Sequence, residues 1–215
     1  MKRVFRVGFV GALIAGAAVS QAFFYEDFES LVANNGGTWN GAWTGDYSSI
    51  YQPGSFSTTA NPGVWNVGGT PNASGIDLVR GIYLHQGNYG IDLVGTPGPG
   101  SIFRNLAFVA GQQYKISFLA AASSTAYNDI EIQVGSQTLS GINLIAVGNV
   151  FNTYTFDFTS DGGSFFEIRS LAGGNGNLFF DNLSIEAVPE PFTMVLGAAG
   201  LGLALKRRIK KSAKA

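Results

Sequence analysis

The chain has 215 residues, with 13 Lys and Arg, 14 Asp and Glu, one His and no Cys. That length suits one domain with extensions, and 46% hydrophobic against 13% charged residues argues for a packed core despite 30 Gly. Disulfides, thiolate metal sites and cysteine nucleophiles are excluded, as is any site needing two imidazoles from this chain.

The charge is unevenly spread. Lys2, Arg3 and Arg6 open the chain, and Lys206, Arg207, Arg208, Lys210, Lys211 and Lys214 close it. Only Arg80, Arg104, Lys115 and Arg169 lie between Glu26 and Glu186, against thirteen acids, so that stretch stands at −9. Such a middle repels phosphate backbones, and nucleic-acid binding is excluded on that ground. Basic ends around an acidic middle point to membrane-directed addresses flanking an exported domain.

Residues 1–22 read as a secretory signal peptide. A basic start precedes the apolar run Val7–Val19, and Ser20-Gln21-Ala22 supplies the small side chains a signal peptidase accepts. Cleavage is expected after Ala22, leaving Phe23 as the first residue.

The exported domain is expected over 23–187, about 165 residues, a size that buries roughly 70% of its unfolded surface without staples. Its first strand is expected at Tyr25–Leu31. Asn34–Thr70 follows, holding Trp39, Trp43, Trp65, Tyr47 and Tyr51 among Gly, Ser, Thr and Asn. It reads as a long binding loop or as hidden strands. Gly-Ile-Asp-Leu-Val occurs at 75–79 and again at 90–94. Two copies fifteen residues apart make no solenoid, so neighbouring strands of one sheet are expected. His85, between them, has no second His or Cys to join and reads as a strand histidine.

Further strands are expected at Ile102–Val109, at Tyr114, Ile116 and Phe118, at Ile130, Ile132 and Val134, and at Tyr154, Phe156 and Phe158. Phe165–Ser170 and Leu178–Ala187 complete the series. Apolar residues alternate with polar ones in the clearest of these, the period of a sheet packed on one face. Clusters such as Gly95-Thr96-Pro97-Gly98-Pro99-Gly100 punctuate them. The fold class is therefore all-β, a jelly-roll β-sandwich.

The end of the chain divides into a segment over 188–211 and a tail over 212–215. Pro189-Glu190-Pro191 precedes an apolar run, Phe192 to Leu205, and then Lys206-Arg207-Arg208. As helix the run spans about 21 Å, short of the ~30 Å hydrocarbon core, with the basic end held on the cytoplasmic side. It suits a tail that pauses in the inner membrane and is then processed. These three features in order resemble the PEP-CTERM sorting signal. The resemblance implies a Gram-negative bacterium that makes exopolysaccharide, processing by a membrane-embedded exosortase, and a destination at the cell surface or in the extracellular matrix.

The middle resembles a second family. Phe28-Glu29, Val64-Trp65, the two Ile-Asp-Leu strands, Pro99-Gly100-Ser101-Ile102, Gly111-Gln112-Gln113-Tyr114, Ile116-Ser117-Phe118 and Phe180-Asp181-Asn182-Leu183-Ser184-Ile185 fall in order. Together they are similar to choice-of-anchor C domains and related galactose-binding-like jelly rolls. Asn34–Asn61 and Phe103-Arg104-Asn105 depart from that pattern. The resemblance implies the fold and a surface role.

Several constellations invite chemistry. Asp181 shares strand parity with Phe179, Leu183 and Ile185, so an inward carboxylate is expected, and such a group must find a partner. With Glu29 it forms the nucleus of a structural calcium site where the terminal strands meet; the alternatives are a turn cap or a pair with Arg169. Trp43, Tyr47 and Tyr51 could stack on sugar rings, or serve as core aromatics, the expected role of Trp65. Arg80, Arg104 and Arg169 are expected at the surface or in ion pairs rather than as clamps on acidic sugars. No Gly-x-Ser-x-Gly elbow accompanies His85, and no acid pair stands out for glycoside hydrolysis. The expected protein is a non-enzymatic, exported surface or matrix protein that binds polysaccharide. A secreted glycan hydrolase using paired carboxylates and a purely structural biofilm component are the alternatives.

Overall fold

Along Gln113–Ala122, Tyr114, Ile116, Phe118 and Ala120 are buried while Gln113 and Lys115 are exposed, and Ile130–Val134 repeats the alternation. A backbone that sends successive side chains to opposite faces meets this demand only as strand. The computed structural model describes residues 22–29, 31–33, 47–51, 54–58, 63–69, 74–80, 89–95, 98–141, 145–171 and 176–189. Among these lie fourteen strands and no helix.

The first sheet holds β1 (Ala22–Glu26), β3 (Tyr47–Tyr51), β6 (Gly75–Val79), β7 (Gly90–Asp92), β9 (Gln113–Ala122), β12 (Asn152–Thr159) and β14 (Leu178–Ala187). The second holds β2 (Leu31–Ala33), β4 (Gly54–Thr58), β5 (Val64–Gly68), β8 (Ser101–Asn105), β10 (Ile130–Val134), β11 (Gln137–Gly141) and β13 (Phe165–Ser170). Their orders are β12-β9-β14-β7-β6-β3, with β1 beside the second half of β14, and β11-β10-β13-β8-β5-β4-β2. Strand pairs are antiparallel throughout. From β7 to β10 and again from β11 to β14 the chain changes sheet at every connection. That winding is a jelly roll, as the sequence predicts.

The core lies between the sheets. Trp65, fully buried, stacks on Phe56 and meets Phe24, Phe28 and Phe166. Phe118 packs on Phe180, and Phe108, Tyr114 and Phe158 close the far end. Each such side chain contributes about 1.5–3 kcal/mol by leaving water. Trp65 thus takes its expected core role.

The repeated pentapeptides are neighbouring strands. Asp77 faces Asp92 and Leu78 faces Ile91. Both strands are buried on both faces. The Gly-Pro cluster contributes to this, because a Cβ on Gly95 or Gly100 would overlap the backbone of Ile76 or Gly75.

Two expectations need correction. The strand expected at Tyr25–Leu31 stops at Glu26, because Phe28 takes φ 57° and the chain then crosses to the second sheet at Leu31. The strand expected at Ile102–Val109 ends at Asn105. Of the two readings of Asn34–Thr70, hidden strands hold, since the stretch contains β3, β4 and β5. They lack a clean alternation because Ser and Gly occupy many of their positions.

Candidate functional site

The outer face of the second sheet is set by the residues that alternate with its core. Ile102, Phe166, Ile168, Ile130, Ile132, Trp65 and Val67 point inward. Parity therefore turns Phe103 and Asn105 of β8, Phe165, Glu167 and Arg169 of β13, Glu131 and Gln133 of β10, and Val64 and Asn66 of β5 outward. Register places Gln133 beside Glu167, Glu167 beside Phe103, and Phe103 beside Asn66. The Phe103 and Phe165 rings lie 5.7 Å apart, tilted 37°, and both are half-buried. Arg169, 44% exposed, forms an ion pair with Glu131. Ser101 Oγ donates to Glu167 Oε1 at 2.5 Å. A side chain at Gly68 would collide with Ser101 Oγ, so the glycine leaves room for that hydroxyl.

Sequence reasoning missed this surface. Phe103 and Phe165 fall out of phase with Ile102 and Phe166, which are buried in the core. That parity was the available signal.

The β1–β14 junction carries the predicted acids. Asp181 is 2% exposed, and its Oδ1 accepts the Asn182 N–H at 2.7 Å. Burial first, then the charges of Glu29 and Asp27, push its carboxyl up to about 7 against the pull of the Asn182 amide. Glu29 and Asp27 thus lie close enough for their charges to act on Asp181. The expected inward parity of Asp181 fails. Phe180, Leu183 and Ile185 belong to the core, whereas Phe179 packs with Val79 and Ala121 on the opposite face. The cause is a bulge between Asp181 and Ser184, with Asn182 at φ 49°, which resets the alternation. Asn182 Oδ1 also accepts the Tyr25 hydroxyl at 3.1 Å. The alternative pairing of Asp181 with Arg169 does not form, since Arg169 pairs with Glu131. Among the described residues, no three His, Cys, Asp or Glu side chains form a group that could hold a metal ion.

The acid that joins the two sheets is Glu26, which sequence reasoning passed over. Fully buried, it accepts Thr58 Oγ1 at 2.6 Å, Trp65 Nε1 at 3.3 Å and the Phe28 N–H at 3.2 Å. Arg104 is neither a surface residue nor a clamp. Its guanidinium lies over Phe24 (4.9 Å) and Trp65 (5.2 Å), and burial lowers its pKa while Glu26 opposes the shift.

Of the expected aromatic platform, Tyr47 is 39% exposed on β3, at the edge of the first sheet. Tyr51 ends the same strand with the same parity, about 13 Å along, but its side chain lies outside the described residues, as does Trp43. Trp39, His85, Glu190, Pro191, Lys206, Arg207 and Arg208 also lie outside them. Phe23 is 38% exposed and touches Phe108 and Tyr114.

Asp77 and Asp92 are adjacent carboxylates, but Asp92 is occupied by structure. Its Oδ1 accepts Val94 N–H (2.9 Å) and Leu178 N–H (2.8 Å). With its amide nitrogen turned inward, Asn177 donates to Oδ2 at 2.8 Å. Burial above all, with Asp77 adding to it, pushes this carboxyl up to about 7, and the two backbone amides resist.

No protein-family model matches the chain, and comparison with curated proteins finds no match. Among solved structures, it is similar to the CBM22-1 xylan-binding domain of Paenibacillus barcinonensis Xyn10C, at 12% identity and a TM-score of 0.45. That alignment covers 80% of this chain and 97% of that one. It is also similar to TmCBM61, solved in complex with β-1,4-galactotriose, at 16% identity and a TM-score of 0.42, over 58% of this chain and 88% of that one. The enzymatically active domain of bacteriophage CBA120 tailspike protein 4 aligns at 15% identity and a TM-score of 0.44. There, 58% of this chain spans only 19% of that one. These are likenesses of shape; the sandwich itself rests on the strand pairing described above.

Proposed function

We propose that this chain is an exported, non-enzymatic protein that binds neutral polysaccharide through the outer face of its second sheet. The observation that carries the reading is the Phe103–Phe165 pair, two half-buried rings that meet on the outer face among mostly polar neighbours. Apolar C–H faces of sugars lie on such rings. Gln133, Asn66, Asn105 and Glu167 stand around them as donors and acceptors for hydroxyl groups. The −9 charge between Glu26 and Glu186 disfavours acidic polymers, which leaves neutral ones. Asp92, with its acceptor sites engaged by three N–H groups, is built for structure rather than proton transfer.

Binding to an array of neutral and acidic glycans tests the reading. Phe165→Ala should weaken binding about tenfold, roughly 1.4 kcal/mol of stacking, while the melting temperature changes little. Binding that is unaffected by Phe165→Ala and Phe103→Ala, or turnover of the bound polymer, overturns it.

The same reading includes sorting. Residues 1–22 are removed by signal peptidase, and the Pro189-Glu190-Pro191 segment with its Lys206-Arg207-Arg208 end is handled by an exosortase. The product then stands at the surface or in the exopolysaccharide matrix, where glycan binding is of use. A mature protein retaining residues 1–22 contradicts the export half of the proposal.

It also includes a structural calcium ion at the β1–β14 junction. Asp181 and Glu29 would supply carboxylates, with main-chain carbonyls completing the six to eight oxygens. Burial raises the Asp181 pKa first and the charges of Glu29 and Asp27 add to it; a cation there would offset the second of these causes. Chelation should lower the melting temperature and Asp181→Ala should remove that sensitivity; an unchanged melt dismisses the ion.

A further inference from the structure

The strand β12 ends the first sheet, with β9 on one side and, among the described residues, no strand on the other. It is eight residues long, and Asn152, Thr153, Thr155, Asp157 and Thr159 are exposed. Natural edges of this length are blunted by Lys, Pro or a bulge, since unpaired N–H and C=O groups invite another strand. β12 has no Lys, Pro or bulge; its one charge, Asp157, faces Lys115 across the ladder, and its register with β9 runs unbroken from Asn152 to Thr159.

The ladder shows which backbone groups face outward. Ser160 N–H donates to the Gln112 carbonyl at 2.9 Å, so residue 160 belongs to a hydrogen-bonded pair with β9. In an antiparallel ladder such pairs alternate, so Tyr154, Phe156 and Phe158 also bond inward to β9. Thr153, Thr155 and Asp157 present their N–H and C=O groups to the open side. The Thr159 carbonyl follows the same parity and is met there by Gln137 Nε2 at 2.6 Å.

We propose that a second copy of this chain pairs with β12, antiparallel, about a two-fold axis through Thr155. In that register Thr155 faces its own copy and Thr153 faces Asp157, giving six backbone hydrogen bonds from the three outward residues of each strand. Tyr154 then faces Phe156 on the core side, extending the stack these rings make with Phe118. Thr–Thr and aromatic pairs are favoured cross-strand neighbours. No like charges meet: each Asp157 sits between Lys115 of its own β9 and a threonine hydroxyl of the other copy. Thr159, whose carbonyl is taken by Gln137, falls outside the six bonds.

A two-fold perpendicular to the sheet keeps corresponding faces on the same side. The second sheets of both copies would therefore present their outer faces together, and a polymer bound to one could reach the other, with the gain in avidity that follows. The pairing itself does not depend on what those faces bind.

The test compares the molar mass of the full chain and of its Thr155→Lys variant by sedimentation over a concentration series. Both carry identical ends, so tail association cancels. The wild type should dimerise. The variant, which sets like charges face to face on the axis, should dissociate with a constant at least about tenfold weaker, at a melting temperature that matches the wild type when both are diluted to monomer. The chain has no cysteine, so Thr155→Cys introduces a single thiol. A short thiol cross-linker should join two copies at that position and not at Thr138→Cys on the second sheet. A monomeric wild type, an equally dimeric lysine variant, or cross-linking at Thr138→Cys alone overturns the proposal.

Discussion

The two sheets share one core but differ on their outer faces. On the second sheet the alternation is clean: β10 and β13 bury every other residue and leave Phe165, Gln133 and Arg169 reachable. On the first sheet around β6, β7 and the start of β14 the outer face is closed as well, with Val79, Ala121, Phe179, Asp77 and Asp92 all buried. A strand buried on both sides has only structural work to do, whereas a strand buried on one side can use the other. Acids follow the same division. Asp92 and Glu26 are spent on backbone and indole N–H groups inside, while Glu131 and Glu167 stand on the open face.

If that division is right, substitutions in the closed regions should cost stability and spare binding, and those on the open face should do the reverse. The largest effect is expected at the centre of the core. Trp65→Ala removes a fully buried indole that touches four phenylalanines and should cost about 3–5 kcal/mol in denaturant unfolding. A loss below about 1 kcal/mol would mean the core is centred elsewhere.

Asp92→Ala comes next. It leaves the buried Val94 and Leu178 amides without an acceptor, at about 1–3 kcal/mol for a stranded group, while the desolvation cost of the Asp92 carboxyl is relieved, so the net loss should stay below that of Trp65→Ala. Glycan binding per folded molecule should be unchanged; a loss of binding by folded protein would erase the distinction between the two faces.

The smallest effect is a pH dependence. The Asp92 carboxyl ionises near 7 in the fold and near 4 when unfolded. Between those values the folded chain holds a proton that the unfolded chain has released, so stability falls as pH rises through that window. Asp181, raised to about 7 as well, adds a dependence of the same sign, so Asp92→Asn, whose amide can still accept from Val94 and Leu178, should remove the share of Asp92 and leave that of Asp181. A wild-type melting temperature that rises from pH 5 to pH 7, with chelator present, would show that Asp92 ionises in its ordinary range.

Much of the fold was legible because side-chain period is a local property. The strands at Ile130–Val134 and Asn152–Thr159, the pairing of the two pentapeptides and the core role of Trp65 all follow from which residues must leave water. Strands β3, β4 and β11 were not legible, since Ser, Thr and Gly leave no apolar period to read.

The sequence by itself determined an all-β chain with two sheets' worth of alternating strands and an acidic middle. Only the tertiary structure decided which face each residue occupies near the junction, because one bulge at Asn182 inverts every parity beyond it. Tertiary structure also decided that Glu26 ties the sheets together, and that Phe103 and Phe165 meet on the outer face. Such pairings join residues dozens of positions apart, and a local pattern carries no record of what the chain will bring beside it.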